Sequence, residues 1–184
     1  MYVSFAYFTV LHKNRETILD ILLCGNEKTY CFNEKAFELM EMFNISKRWI
    51  RKLSLFKGQT FDKEKMRREM DYVFSLNGHK STKMRVLEAC SIASYHQMTN
   101  IPVATTLLSD DAPQFRKLTH QHAYCWIHDG RNYKKLRPVV PYNKKKLEAF
   151  LDQYWDYYAK LSEFKLKPDA EIAEQLKVEF DRLF

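Results

Sequence analysis

Val103-Ala104-Thr105-Thr106-Leu107-Leu108-Ser109-Asp110-Asp111 is the stretch that decides the reading of the fold. Val103 to Leu108 is rich in β-branched and aliphatic residues, the composition of a buried strand. Pro102 separates it from the preceding segment, and two carboxylates follow Ser109. Upstream, Val86, Leu87, Ala89, Cys90, Ile92, Ala93 and Tyr95 leave little polar surface on a helix predicted to open at Ser81 or Thr82 and to be buried. A buried helix, a buried strand and a carboxylate at the strand's end form an arrangement on which α/β sheets build active sites. The strand end holds the carboxylate rigidly at an open edge, where a metal ion can sit.

Working toward the start of the chain, Asp62 opens a helix with Met66, Met70 and Val73 inward, and Leu76-Asn77-Gly78 ends it. Ser46 caps another helix carrying Trp49, Ile50 and Leu53. Asn33 caps one running to about Phe43, with Phe37, Met40 and Phe43 on one face. Thr29 to Phe32 reads as a short strand, Gly25 to Lys28 as a turn, and Arg15 to Cys24 as a short helix or a strand. Tyr2 to Val10 has strong β propensity. In the other direction, Ala123 to Ile127 is a second short strand leading into His128 to Lys135. A long amphipathic helix runs from about Lys144 to Phe164, striped by Leu147, Leu151, Tyr154, Tyr158 and Leu161. Lys167-Pro168-Asp169 breaks it, and Ile172, Leu176, Phe180 and Phe184 continue at helical spacing in a helix that folds back as an αα-hairpin. Both ends read as cut rather than finished: the first strand starts almost at residue 1, and the last helix has no stop signal at Phe184.

Composition narrows the class. The 184 residues suffice for one core, or a core with a helical appendage. No apolar run approaches the roughly 20 residues that span a bilayer, and the start has neither a basic region nor a small-residue cleavage site. The expected location is the cytoplasm, with no membrane partner. Cys24, Cys31, Cys90 and Cys125 are scattered, with no CxxC pair, and are expected to be reduced. The net charge of +7 suits a polyanionic partner, nucleic acid ahead of a membrane surface.

Three groups of residues carry candidate chemistry. Asp110 and Asp111 are either metal ligands for Mg²⁺-dependent phosphoryl transfer or the solvated start of the next helix. His120, His122, Cys125 and His128 are of the right types for zinc, but their spacing matches no standard finger, and the alternative is a core Cys and Trp ringed by polar histidines. Arg131, Lys134, Lys135, Arg137, Lys144, Lys145 and Lys146 form a cationic stretch with no acidic residue from Arg131 to Lys146, interleaved with Tyr133 and Tyr142. Such a stretch neutralises phosphates and offers stacking surfaces, or else is a solvated loop. Lys47, Arg48, Arg51 and Lys52 around Trp49 form a second basic patch. The four glycines are isolated, so no Gly-rich phosphate loop exists.

Two segments bear a family resemblance. Ser109-Asp110-Asp111-Ala112-Pro113-Gln114-Phe115 resembles the Ser-Asp-Asn-Gly-x-x-Phe turn that carries the second catalytic Asp in integrases and insertion-sequence transposases. Cys125 to Leu136 resembles the Cys-Trp-x-His-x-x-Arg segment that follows it in one large group of bacterial DDE-type transposases. Pro138-Val139-Val140-Pro141-Tyr142, the Tyr154-Trp155-Asp156-Tyr157-Tyr158 helix and the Glu179 to Phe184 end are also similar to that group. The resemblance covers most of the chain and is strongest from Leu107 to Phe184. It implies a three-carboxylate Mg²⁺ site on an RNase H-like sheet, with Asp110 as the second carboxylate and metal ligand and Asp111 where the related turn has Asn. The chain departs from the pattern twice. No residue matches the first Asp convincingly, Asp20 being a poor candidate, and no Asn-Asn-x-Ala-Glu motif supplies the final Glu.

The expectation is therefore an α/β fold: an incomplete RNase H-like sheet over 1–140 with a helical segment at about 33–76, and a helical insertion hairpin over 141–184. The expected function is that of a transposase fragment, inactive alone, whose parent cleaves and joins DNA with Mg²⁺. Its partners would be DNA and the rest of a split transposase or further copies of itself. The alternatives are a non-catalytic DNA-binding or accessory protein, and a metal-binding domain built on the histidines.

Overall fold

A computed structural model describes residues 14–74 and 79–184. The predicted first strand at Tyr2 to Val10 and the break at Leu76-Asn77-Gly78 lie outside the described residues. The chain forms two compact units, 1–123 and 124–184.

The first unit is mostly helical. Helix α1 (Arg15–Leu22) is capped by Asn14, whose side chain accepts from the Thr17 amide. A two-residue strand β1 (Tyr30–Cys31) leads to α2 (Glu34–Met42), where the Asn33 side chain accepts from the Ala36 amide at 2.8 Å. This is the cap expected of an Asn ahead of an apolar-periodic run. Then come α3 (Lys47–Leu53), a 3₁₀ turn at Ser54–Phe56, strand β2 (Thr60–Phe61), α4 (Lys63–Phe74) and α5 (Lys80–Tyr95). Asp62 caps the start of α4, accepting from the Lys65 amide at 2.7 Å. Strands β1 and β2 pair antiparallel, Tyr30 opposite Phe61 and Cys31 opposite Thr60.

The core forms around α5 and an aromatic knot. Phe32 is wholly buried, its ring 5.3 Å from that of Phe56 and 5.4 Å from that of Phe61. Val86, Ala89, Cys90, Ile92, Ala93 and Tyr95 of α5 are all buried, as the sparse polar surface of that helix predicted. Cys31 and Cys90 are buried free thiols of this core, and burial pushes both thiols up from their ordinary pKa. The Tyr95 hydroxyl accepts from the Ala104 amide at 2.8 Å and ties the approach to the next strand onto α5.

That next strand, β3 (Thr106–Ser109), differs from expectation. It starts three residues later than Val103, alternates between exposed and half-buried, and among the described residues pairs only with β4 (Gln121–Tyr124). A two-stranded sheet covers one face at most, so alternation replaces the continuous burial of a central strand. The described residues hold two two-stranded sheets and no larger one, so the architecture is mixed α/β and mostly helical.

The second unit is three helices: α6 (Trp126–Lys135), α7 (Pro141–Leu166) and α8 (Ala170–Leu183). The predicted strand Ala123 to Ile127 is corrected here. The strand lies at Gln121–Tyr124, and Trp126 opens α6. Trp126, Gly130 and Tyr133 recur at helical spacing and face α7, a pattern that overrides the β propensity of Trp and Ile. Helix α6, read from the sequence with the first part, therefore belongs with the hairpin. Asp169 caps α8, accepting from the Glu171 and Ile172 amides. The Tyr157 hydroxyl donates to the Leu176 carbonyl at 2.9 Å and locks α7 to α8.

The core of this unit is narrow. Tyr154, with no exposed surface, stacks on Trp126 at 4.4 Å between ring centres. Its hydroxyl proton is shared between the Trp126 carbonyl at 2.8 Å and an Asp129 carboxylate oxygen at 3.1 Å. Burial, then the hydrogen bond to Asp129, pushes that hydroxyl up from its ordinary pKa. Gly130 is where α6 and α7 touch. A Cβ there would sit 2.6 Å from the Trp155 ring and 2.8 Å from the Tyr154 ring, closer than carbon atoms approach. No helix among the described residues is long and apolar enough to cross a membrane.

Candidate functional site

Asp110 is the first residue past β3 and is half-buried. Its Oδ1 accepts from the Ala112 amide at 3.2 Å, so the carboxylate closes its own turn. The Ser109 hydroxyl donates to the Asp110 carbonyl at 2.7 Å and lies 2.8 Å from His122 Nε2 on β4. A hydroxyl has one proton, and the carbonyl takes it. That leaves the Ser109 oxygen free to accept from His122 Nε2. Asp111 is exposed and pairs with Arg116 at 2.6 Å. Pro113–Phe115 is a single 3₁₀ turn with Pro at its first position, in place of a longer helix.

Arg15 secures this turn. Its guanidinium donates to the carbonyls of Pro113 at 2.7 Å and Arg116 at 3.3 Å, and to the Glu88 carboxylate on α5. It also lies 4.5 Å above the Phe43 ring. No sequence spacing connects position 15 to 88 and 113, so this contact was invisible in the sequence. Asp20 lies on α1, paired with Lys28 at 2.8 Å.

The metal ligands do not assemble here. Among the described residues, no group of three or more His, Cys, Asp or Glu side chains could hold an ion. Asp110 offers one carboxylate, already engaged with Ala112, and Asp111 is held by Arg116. This donor set does not fit an Mg²⁺ ion, and no catalytic step through a metal follows from it. The histidine window disperses as well. His120 packs against His96 with ring centres 4.3 Å apart, His122 meets Ser109, and His128 is exposed.

His96 Nε2 lies 2.9 Å from the Leu118 carbonyl, and its Nδ1 is buried without a hydrogen-bond partner among the described residues. Burial, and to a smaller extent His120, holds its pKa below the usual histidine value. A depressed folded-state pKa means that the unfolded chain binds more protons below about pH 6.5. The stability from neutral His96 is present above that pH and is lost as pH falls through the folded-state value. Urea midpoints are expected to drop between pH 7.5 and pH 5, and to drop less in His96→Gln. Equal drops in the two proteins would assign the effect to other groups.

The seven cations of the basic stretch all lie in the second unit. Arg131, Lys134 and Lys135 share α6, Arg137 is in the connection, and Lys144, Lys145 and Lys146 stand in the first turns of α7. All are exposed, and among the described residues none makes an ion pair. Arg137 instead donates to the Lys134 and Leu136 carbonyls, at 2.7 and 3.2 Å, rounding off the end of α6. Lys134 lies 4.8 Å above Trp155, and Lys146 lies 4.7 Å above Tyr142. A solvated loop is the alternative that the sequence leaves open for this stretch; most of it is helical, so the side chains project from a firm frame.

No family description matches the chain, and no solved structure matches it. A protein of Sinorhizobium fredii (strain NBRC 101917 / NGR234), described as "Uncharacterized protein y4jO", is 27% identical over 179 residues. The match covers 97% of this chain and 55% of that protein. The chain thus spans about half the length of the relative to which it is similar.

Proposed function

We propose that the chain is the DNA-handling part of a DDE-type transposase with an RNase H-like parent fold, contributing Asp110 and the basic surface of α6 and α7 but not cutting DNA alone. The observation that carries this reading is the place of Asp110. It is the first residue past a strand, in the Ser-Asp turn whose sequence resembles the second-carboxylate turn of that family, with the Cys-Trp-x-His-x-x-Arg segment next in the chain. The seven exposed cations, none in an ion pair among the described residues, support a phosphate-backbone partner. A second reading, a non-catalytic DNA-binding or accessory protein, is favoured by the dispersal of the possible metal ligands.

Replacing Lys144, Lys145 and Lys146 by Gln is expected to weaken binding to a random duplex and to flatten its log–log salt dependence by about 0.9 for each phosphate no longer neutralised. Unchanged affinity and slope would make the stretch a solvated surface. With Mn²⁺ as probe, selective NMR broadening at Ser109 to Ala112 that Asp110→Asn removes would favour the transposase reading. DNA binding with no broadening there would favour the accessory one. DNA cutting by the chain alone that disappears in Asp110→Ala would overturn the expected inactivity of the lone chain.

A further inference from the structure

The first unit carries a second concentration of positive charge that the reading above leaves unused. From Phe43 to Phe61 there is no acidic residue. Within that span the short helix α3 presents Lys47, Arg48, Arg51 and Lys52, all exposed. Among the described residues none of the four makes an ion pair.

The arrangement runs against local helix energetics. Lys47 and Arg51, and likewise Arg48 and Lys52, are like charges four residues apart, neighbours on the helix surface that repel. Lys47 and Arg48 stand in the first turn, where the helix dipole disfavours cations and where no acidic residue is present. Only Arg51 and Lys52, in the last turn, are placed as the dipole favours. Ser46, at the cap position, makes no side-chain capping bond. A helix held by its own local terms would not choose these residues, and such conflicts concentrate at functional surfaces.

Two of these cations, Arg48 and Lys52, are nevertheless held in place. Arg48 lies 5.6 Å and Lys52 4.9 Å from the Trp49 ring. Trp49 itself is wedged against Phe74 at 4.5 Å and His79 at 4.7 Å. Cation–π contact with an anchored ring orders long side chains before any ligand arrives and lowers the entropy lost on binding. The four cations form two adjacent pairs, Lys47 with Arg48 and Arg51 with Lys52, about 6 Å apart along the helix axis, and suit the closely spaced charges of a duplex backbone.

We propose that the exposed face of α3 is a contact surface for the phosphate backbone of duplex DNA, separate from the basic stretch of the second unit. The proposal shares with the functional reading only the premise of a DNA partner and rests on different residues.

The test compares the full chain with the Lys47→Gln, Arg48→Gln, Arg51→Gln, Lys52→Gln variant and with the triple Gln variant at 144–146, by fluorescence anisotropy on a random-sequence duplex across a salt series. The α3 variant is expected to lower the log–log slope by about 0.9 for each of its cations that meets a phosphate, and to weaken binding at 0.1 M salt by at least roughly tenfold. The triple variant should retain that α3 contribution. Wild-type slope and affinity in the α3 variant would overturn the proposal while leaving the functional reading standing. Loss in the α3 variant with none in the triple variant would do the reverse. A second measurement needs no variant: acetylation of Lys47 and Lys52 in the wild-type chain should fall when duplex is added. Equal acetylation with and without DNA overturns the proposal, as does α3-dependent binding confined to vesicles of anionic lipid.

Discussion

Tyr154→Ala is expected to unfold the second unit and leave the first folded. Three large side chains of that unit are buried: Tyr154, Tyr157 and Leu176. Tyr154 is the most enclosed, touching Trp126, Tyr133, Phe150 and Phe184. Truncating a buried aromatic costs about 3–5 kcal/mol through lost transfer energy and the cavity left behind. A unit of this size with so narrow a core holds a margin of about that magnitude. The truncation also strips Asp129 of its hydroxyl donor. Hydrogen exchange should show protection lost across 124–184 and kept along α5. Tyr154→Phe keeps the ring and removes only the hydrogen bonds, so a cost of about 1 kcal/mol is expected. A Tyr154→Ala protein that melts with the wild type would show that the stack contributes little.

Arg15→Met is the second large effect, and it acts on the first unit. Arg15 and Glu88 have side chains 15% and 12% exposed, so neither is well solvated. Removing one partner of a buried pair leaves an uncompensated charge, at a cost of about 3–5 kcal/mol. Burial already raises the Glu88 carboxyl above its ordinary range, and Arg15 is the main force pulling it back. Without Arg15 the folded-state pKa rises further. A raised carboxyl contributes stability that is present below the unfolded-state pKa and is lost as pH rises through the folded-state value. The destabilisation in urea should therefore be smaller at pH 4 than at pH 7. The Pro113 carbonyl also loses its donor, so amides of 111–116 should exchange faster. A penalty independent of pH would mean that Glu88 does not carry the effect.

How much of this was legible in the sequence depends on the range of the interaction. Asn33, Asp62 and Asp169 announce helix starts by satisfying amides two or three residues away, and each does so. The buried character of α5 and the helical break at Lys167-Pro168-Asp169 were equally local. The strands were harder. Val103 to Leu108 has the composition of a central strand, but centrality depends on partners, and among the described residues β3 pairs with β4 alone. Trp126 and Ile127 favour strands until Gly130 and Tyr133 are counted with them, after which the spacing is helical. In the site, Ser109-Asp110 could be placed from its motif, whereas Arg15, which pins the turn after it, could not. Contacts across 98 and 101 residues leave no trace in spacing.

Of the four thiols, Cys24 lies in the open while Cys31 and Cys90 are enclosed in the first unit's core. Only the thiolate reacts with alkylating reagents, and burial suppresses both access and ionisation. Cys24 is thus a ready attachment point for a probe on the intact protein. The two enclosed sulfurs serve as a clock: they are alkylated only during the moments when β1 and α5 part. The ratio of slow to fast labelling gives the fraction of time that this part of the core stands open, a property no static picture contains.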